Sequence, residues 1–141
     1  MKIILATGKA PRTPWADDAV NDYARRIRRW IPFDEGETGV ILRGAGPRAR
    51  VVVLDERGSD ASSEAWAAMI DSAAGESATS LIFAIGGAYG HDDDTRARAW
   101  RLVRLGPMVM NHAVARVVTA EQIYRACSIR AGTPYHHGGS A

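Results

Sequence analysis

Apolar residues occur along this chain in short unbroken runs and in longer periodic stretches, and the two kinds alternate. Lys2–Thr7 is a short run closed by Gly8, and Arg50–Leu54 is a β-branched run before Asp55-Glu56-Arg57-Gly58. Leu81–Ile85 leads straight into Gly86-Gly87-Ala88-Tyr89-Gly90, and Pro107–Met110 is a fourth run. Short apolar runs bounded by turn residues predict buried strands. Between them, apolar positions fall at helical spacing. Trp15, Ala19, Tyr23, Ile27 and Trp30 make one stripe, ended by Pro32, and Arg25, Arg26, Arg28 and Arg29 occupy its other face. Trp66, Met69, Ile70 and Ala73 make a second, with Asp60 or Ser62 as its cap. A third helix is predicted from Asp92–Asp94 through Ala99, Trp100 and Val103.

The last helix, predicted over Ala113–Cys127, is apolar on most of its surface (Val114, Val117, Val118, Ala120, Ile123, Tyr124), so it must be buried on several sides. Residues 34–50 are the least regular. Their glycines and lack of a clean period leave either a short, poor helix or an irregular connection. Strands alternating with helices at short turns predict an α/β fold with a mainly parallel sheet. The length of 141 residues and the absence of repeats or linkers predict a single domain over 1–141.

Composition narrows the setting. The one cysteine, Cys127, rules out an internal disulfide framework and suits a reducing, cytoplasmic home. The opening apolar run is too short for a signal peptide and no stretch approaches a membrane span, so a soluble protein with no membrane partner is expected. The net charge of +2 conceals a segregation. Residues 1–50 hold ten basic and six acidic side chains, residues 51–95 one and nine, and residues 96–141 seven and one. Basic ends flanking an acidic middle suit a polyanion bound by counterion release, or two solvated helix faces.

Candidate chemistry gathers at strand ends, where ligands of open parallel sheets sit. Gly86-Gly87-x-x-Gly90 lacks the glycine order of a dinucleotide fingerprint and the Lys-Ser/Thr of a phosphate loop. The acidic segment around it would repel a polyphosphate and tolerate a cofactor of little negative charge. His91, His112, His136 and His137 lack zinc spacing, and no metal is expected. Asp92–Asp94 suit a helix N-terminus better than a cation site. Cys127 reads as a core residue and not as a nucleophile. Close to the end of the chain, Arg116 to His137 is dense in Arg, Glu, Tyr and His. Glu121 and Arg125 could pair along a helix, while Tyr135 and His136 beside Gly132 and Pro134 look held down for function.

Val117-Val-Thr-Ala-Glu-Gln-Ile-Tyr-Arg-Ala126, with Ile129, Gly132 and Pro134-Tyr135-His136, resembles the tail of the RlmH family. These are SPOUT-class methyltransferases of N3 of a pseudouridine in large-subunit (23S) ribosomal RNA. Ile85 through Gly90, Leu54-Asp55 with Gly58, Lys2–Gly8 and Tyr23-x-x-Arg26 also match, so the resemblance covers nearly the whole chain. It implies a sheet with a C-terminal deep trefoil knot and a homodimer. It implies S-adenosylmethionine held by Leu54, Gly86, Gly87, Gly90 and Leu105-Gly106-Pro107-Met108-Val109-Met110. His136, Tyr135 and Arg125 are the expected catalytic residues: His136 as base or orienting donor, Tyr135 against the target base, Arg125 or Arg116 on the developing anion or a phosphate. Arg25, Arg26, Arg29, Arg116 and His137 are expected to contact ribosomal RNA in the assembled ribosome.

Two departures stand out. Asn111-His112 replaces the family's Pro-His, and the region after Phe33 is short, so that a strand and a basic linker are expected to be missing. The alternatives are a ribosome-binding relative that has lost activity, or a methyltransferase of another RNA such as tRNA. A small nucleotide-binding protein is a more distant reading.

Overall fold

A computed structural model describes residues 1–11, 13–87 and 89–137. In chain order its elements are β1 (Lys2–Thr7), α1 (Pro14–Ile27), β2 (Phe33–Glu37), α2 (Thr38–Gly44), β3 (Ala49–Asp60) and α3 (Ser63–Gly75). There follow β4 (Ser80–Ile85), α4 (Asp93–Ala97), β5 (Arg101–Arg104) and α5 (His112–Ala131). The strands form one parallel sheet in the order β2-β1-β4-β3-β5.

The unbroken apolar runs are explained by burial on both faces of this sheet. Ile3, Leu5, Leu81, Phe83 and Val52 face a layer made by α1, α3 and α5. There Phe83 stacks on Trp66 with ring centroids 5.1 Å apart. Ala6, Ile82, Ala84, Val51 and Val53 face a thinner layer to which α2 contributes Leu42. The near-continuous apolar surface of α5 is spent in the same way: it packs on α1 and on α3 as well as under the sheet.

The structure corrects the sequence reading in three places. The strand expected to be missing after Phe33 is present: Phe33–Glu37 pairs with β1 from Ile3↔Phe33 to Thr7↔Glu37. It is an edge strand with one buried side chain, Phe33, so it shows no apolar run. Glu37 then caps α2, accepting from the amides of Gly39 and Val40.

Secondly, the helix from Asp92 ends at Ala97. The amide of Trp100 donates to Val51 O at 2.8 Å, and Arg101–Arg104 continues as β5. Pro107–Met110 is loop, not strand; it follows Gly106 at φ +117°. Thirdly, β3 does not stop at Leu54. Its ladder to β5 shifts register between Leu54 and Ser59, so Asp55–Gly58 bulge out. Gly58 is required there, because a Cβ would lie 2.5 Å from Val103 backbone.

Candidate functional site

A cavity of about 230 Å³ opens where β4 and β5 end and β3 bulges. Ile85 and Arg104 come from strand ends, Leu54 from just before the β3 bulge, Ala115 from the first turn of α5, and Leu105 through Met110 form the loop wall. Leu54, Leu105, Gly106, Pro107, Met108, Val109 and Met110 are therefore brought together as expected neighbours. Met108 and Val109 stand 74 and 96 % exposed, side chains left available at the rim. Gly86, Gly87 and Gly90 do not line this cavity; they follow Ile85, which does. Gly87 O accepts from the amide of Gly90 at 3.0 Å, and a Cβ on Gly86 would come within 2.6 Å of Gly90. A Cβ on Gly8 would meet the Gly87 amide at 2.2 Å. These glycines let two strand ends pack backbone against backbone.

Asp55 and Glu56 supply the cavity's negative charge. Burial pushes the Asp55 carboxyl up, but the Arg57 amide and the Arg96 guanidinium outweigh it and hold the group below the usual carboxylate range. Arg104, on the opposite wall, is committed to a bidentate contact with Asp60. A second cavity, of about 510 Å³, shares Arg104–Pro107 and is closed by Ser62, Trp66 and Gln122.

The tail beyond α5 folds back on the helix. Gly132 takes the left-handed conformation at φ 73°, which reverses the chain. Tyr135 then lies edge-on to Tyr124 at 4.6 Å and donates its hydroxyl to Glu121 Oε1 at 3.1 Å. Arg125 binds the same carboxylate through Nε and Nη2 (2.9 and 2.6 Å) and sits 4.8 Å from the centre of the Tyr135 ring. His136 stands between Arg125 Nη1, 3.1 Å from its Nδ1, and Glu64 Oε1, 2.8 Å from its Nε2. Arg125, Tyr135 and His136 thus form one cluster. Within this chain it rests on α3 and α5, and not among the residues around the loop cavity. His137 is exposed at the end of the described residues.

Residues 34–136 match the family model described as "Predicted SPOUT methyltransferase". The chain belongs to the SPOUT methyltransferase family. It is 37 % identical over 150 residues to ribosomal RNA large subunit methyltransferase H of Trichlorobacter lovleyi, covering 95 % of this chain and 97 % of that one. Its similarity to the protein of that name from Bdellovibrio bacteriovorus is 36 % over 155 residues, covering 97 and 99 %. Among solved structures, the AdoMet-bound rRNA methyltransferase from Sinorhizobium meliloti superposes with a TM-score of 0.52 at 14 % identity, over 89 % of this chain and 55 % of that one. The SpoU methyltransferase AviRb from Streptomyces viridochromogenes, in complex with AdoMet, gives 0.52 at 15 %, over 93 and 58 %. At that identity the likeness is one of fold.

On this SPOUT framework, the basic residues divide into exposed and committed ones. Arg25, Arg26 and Arg29 edge a shallow depression floored by Tyr124, with the Arg26 guanidinium 5.7 Å from the Tyr124 ring centre and Arg29 5.3 Å from that of Trp30. Arg28 donates to Phe33 O. Arg116 departs from its expected place on an RNA surface. Its side chain is 13 % exposed, bidentate on Glu35 and paired with Asp17. A guanidinium with so little access to solvent needs internal partners, which Glu35 and Asp17 supply. Cys127 is buried, which pushes its thiol up to about 11 and keeps it protonated and inert. Asp92 caps α4 through the Thr95 amide.

The sequence reading missed Glu64 as partner of His136, Arg96 as partner of Asp55, and the 2.9 Å contact of His112 Nδ1 with Gly86 O. None has a local signature, since each joins residues at least 26 positions apart.

Proposed function

We propose that this protein transfers a methyl group from S-adenosylmethionine to N3 of a pseudouridine in large-subunit ribosomal RNA. The observation that carries the reading is the loop cavity, with its apolar and backbone walls, an ionised Asp55 and no uncommitted cation. Such a cavity disfavours a polyphosphate and suits a cofactor whose reactive centre is positive. Leu54 and Leu105 through Met110 would hold it, with Gly86, Gly87 and Gly90 fixing the turn beneath. Bound there, the cofactor supplies an electrophilic methyl group on a positively charged sulfur. The protein's part is placement, which by itself can remove several kcal/mol of barrier.

The large-subunit rRNA methyltransferases that the chain matches over nearly their full length support ribosomal RNA as the substrate. Arg25 offers an exposed guanidinium, and Arg26 and Arg29 offer theirs beside aromatic rings, suited to phosphates and splayed bases. Tyr135 and His136, docked on Arg125 of α5, form the tail that presents the RNA, and His137 extends it. The working unit is a homodimer with knotted C-terminal threading, acting in the cytoplasm on the assembled ribosome.

The test is methyl transfer from labelled S-adenosylmethionine, with whole ribosomes, free large subunits and bulk tRNA offered separately. Label is expected in large-subunit RNA, on a pseudouridine. Label in tRNA would assign another substrate, and cofactor binding without transfer would mark a ribosome-binding protein.

A further inference from the structure

The larger cavity beside the proposed cofactor site, of about 510 Å³, has a charge-balanced lining. Its charged lining residues, Asp60 and Arg104, are bidentate on each other, so it favours neither a phosphate nor a free cation. Leu105, Pro107 and Val118 give it apolar walls, and the Gln122 amide and Ser63 hydroxyl give it a polar side. Apolar walls with a few fixed polar groups suit a flat, neutral ligand with a polar edge.

Gln122 is held so that its amide can read such an edge. Its Nε2 lies 2.8 Å from Glu121 Oε2, and its Oε1 lies 2.7 Å from the Ser63 hydroxyl. A carboxylate only accepts, so the nitrogen must face Glu121, and the oxygen then accepts from Ser63. Flipping the amide would lose both bonds. Beyond these contacts Nε2 keeps one N–H and Oε1 one lone pair. A fixed donor beside a fixed acceptor matches a base edge that offers N–H next to a carbonyl.

The two cavities border each other along Arg104-Leu105-Gly106-Pro107, residues that line both. At Gly106 that border is bare main chain in open space: a Cβ there would meet nothing within 4 Å. We infer that the larger cavity receives the target base and that Gln122 distinguishes pseudouridine from uridine; this rests on the function proposed above. Pseudouridine is joined to ribose through C5, so its ring offers N1–H beside the C2 carbonyl. In uridine N1 carries the sugar, and a C–H stands in the place of that N1–H. Gln122 Oε1 accepts N1–H and Nε2 donates to O2, which leaves N3 free to face the shared border. With uridine the Oε1 lone pair goes unmet, which lowers kcat/KM by about 30-fold.

Gln122 is the only glutamine of the chain, so ¹⁵N label in glutamine side chains gives a single amide signal in the wild-type protein. Pseudouridine nucleoside should shift that signal, and uridine at the same concentration should shift it far less. A signal that pseudouridine leaves in place, or that uridine moves as far, overturns the inference. Ribosomes carrying pseudouridine or uridine at the methylated position give the second readout. Wild-type protein should prefer pseudouridine by about 30-fold in kcat/KM. Gln122→Met, of similar length but with no donor, should lose that preference by slowing the pseudouridine reaction and leaving the uridine reaction unchanged. A variant slowed equally on both, as a merely structural role would give, or one that keeps the preference, sinks the idea. If the wild-type chain methylates neither ribosome while pseudouridine still moves the Gln122 signal, the proposed reaction falls and the base pocket stands.

Discussion

The two ends of α5 are built on opposite plans. At its N-terminus, Asn111 accepts from the Val114 amide, His112 is bonded to a backbone carbonyl, and Arg116 bridges α1 and β2 through nearly buried charges. Next to it, glycine backbones touch without side chains between them. At its C-terminus, main-chain bonds at Gly132 and Thr133 turn the chain, and beyond them the tail is held by side chains: Tyr135 on Tyr124 and Glu121, His136 on Glu64. The first end has little freedom to adapt, because each contact involves main chain or a desolvated ion pair. The second ends on Glu64, 56 % exposed, and its contacts can be exchanged for RNA or for a second subunit. A rigid floor for small ligands and an adjustable arm for a large one suit a methyltransferase of RNA.

The difference is sharpest in the cost of losing one side chain. Arg116→Ala removes the guanidinium that Glu35 and Asp17 share at a largely buried site, and is expected to cost about 3 kcal/mol. The urea midpoint, at unchanged slope, measures it. A cost below about 1 kcal/mol would mean that the N-terminal end is no more rigid than an exposed pair.

At the other end, Tyr135→Phe removes one half-buried hydrogen bond and is expected to cost only about 1 kcal/mol. It also carries a pH signature. Burial, then the Glu121 carboxylate, push the Tyr135 phenol up to about 12. A raised folded-state value means that the contribution is complete below the unfolded value near 10 and is lost as pH rises through about 12. In wild-type protein Tyr135 should ionise late in an ultraviolet titration, and Tyr135→Phe should remove that step. A titration that Tyr135→Phe leaves unchanged at its high-pH end would show that the tail does not stay docked.

Much of this was legible in the sequence because the core obeys simple periods. Leu81–Ile85 and Arg50–Leu54 announced buried strands, and Trp66, Met69, Ile70 and Ala73 marked the buried face of α3. Edges were not legible. Phe33–Glu37 and Arg101–Arg104 pair through backbone while exposing polar side chains, so neither shows an apolar run. Most of the loop wall was found because its motif lies in one stretch, Leu105–Met110. The carboxylate at position 64 and the histidine at position 112 act through contacts made only by folding. The charge count also misled at Arg116: a basic residue in a basic third looked available, and its two acidic partners came from the first fifty residues.

The smallest expected change in stability belongs to the outer face, where the effect should appear in binding instead. Arg25 and Arg29 are exposed, and Arg25 pairs only along its own helix with Asp22. Arg25→Ala and Arg29→Ala should each leave stability within about 0.5 kcal/mol of wild type. If they meet phosphates, each variant should bind ribosomal RNA more weakly and lower the slope of log affinity against log salt by about 0.7 to 0.9. The same substitutions leave the loop cavity untouched, so cofactor affinity serves as an internal control. Loss of RNA affinity with an unchanged slope at Arg29 would mean that it acts through the Trp30 ring beside it, since stacking releases no counterions. An unchanged affinity would move the RNA surface to the tail side of α5 and leave the α1 face to the second subunit.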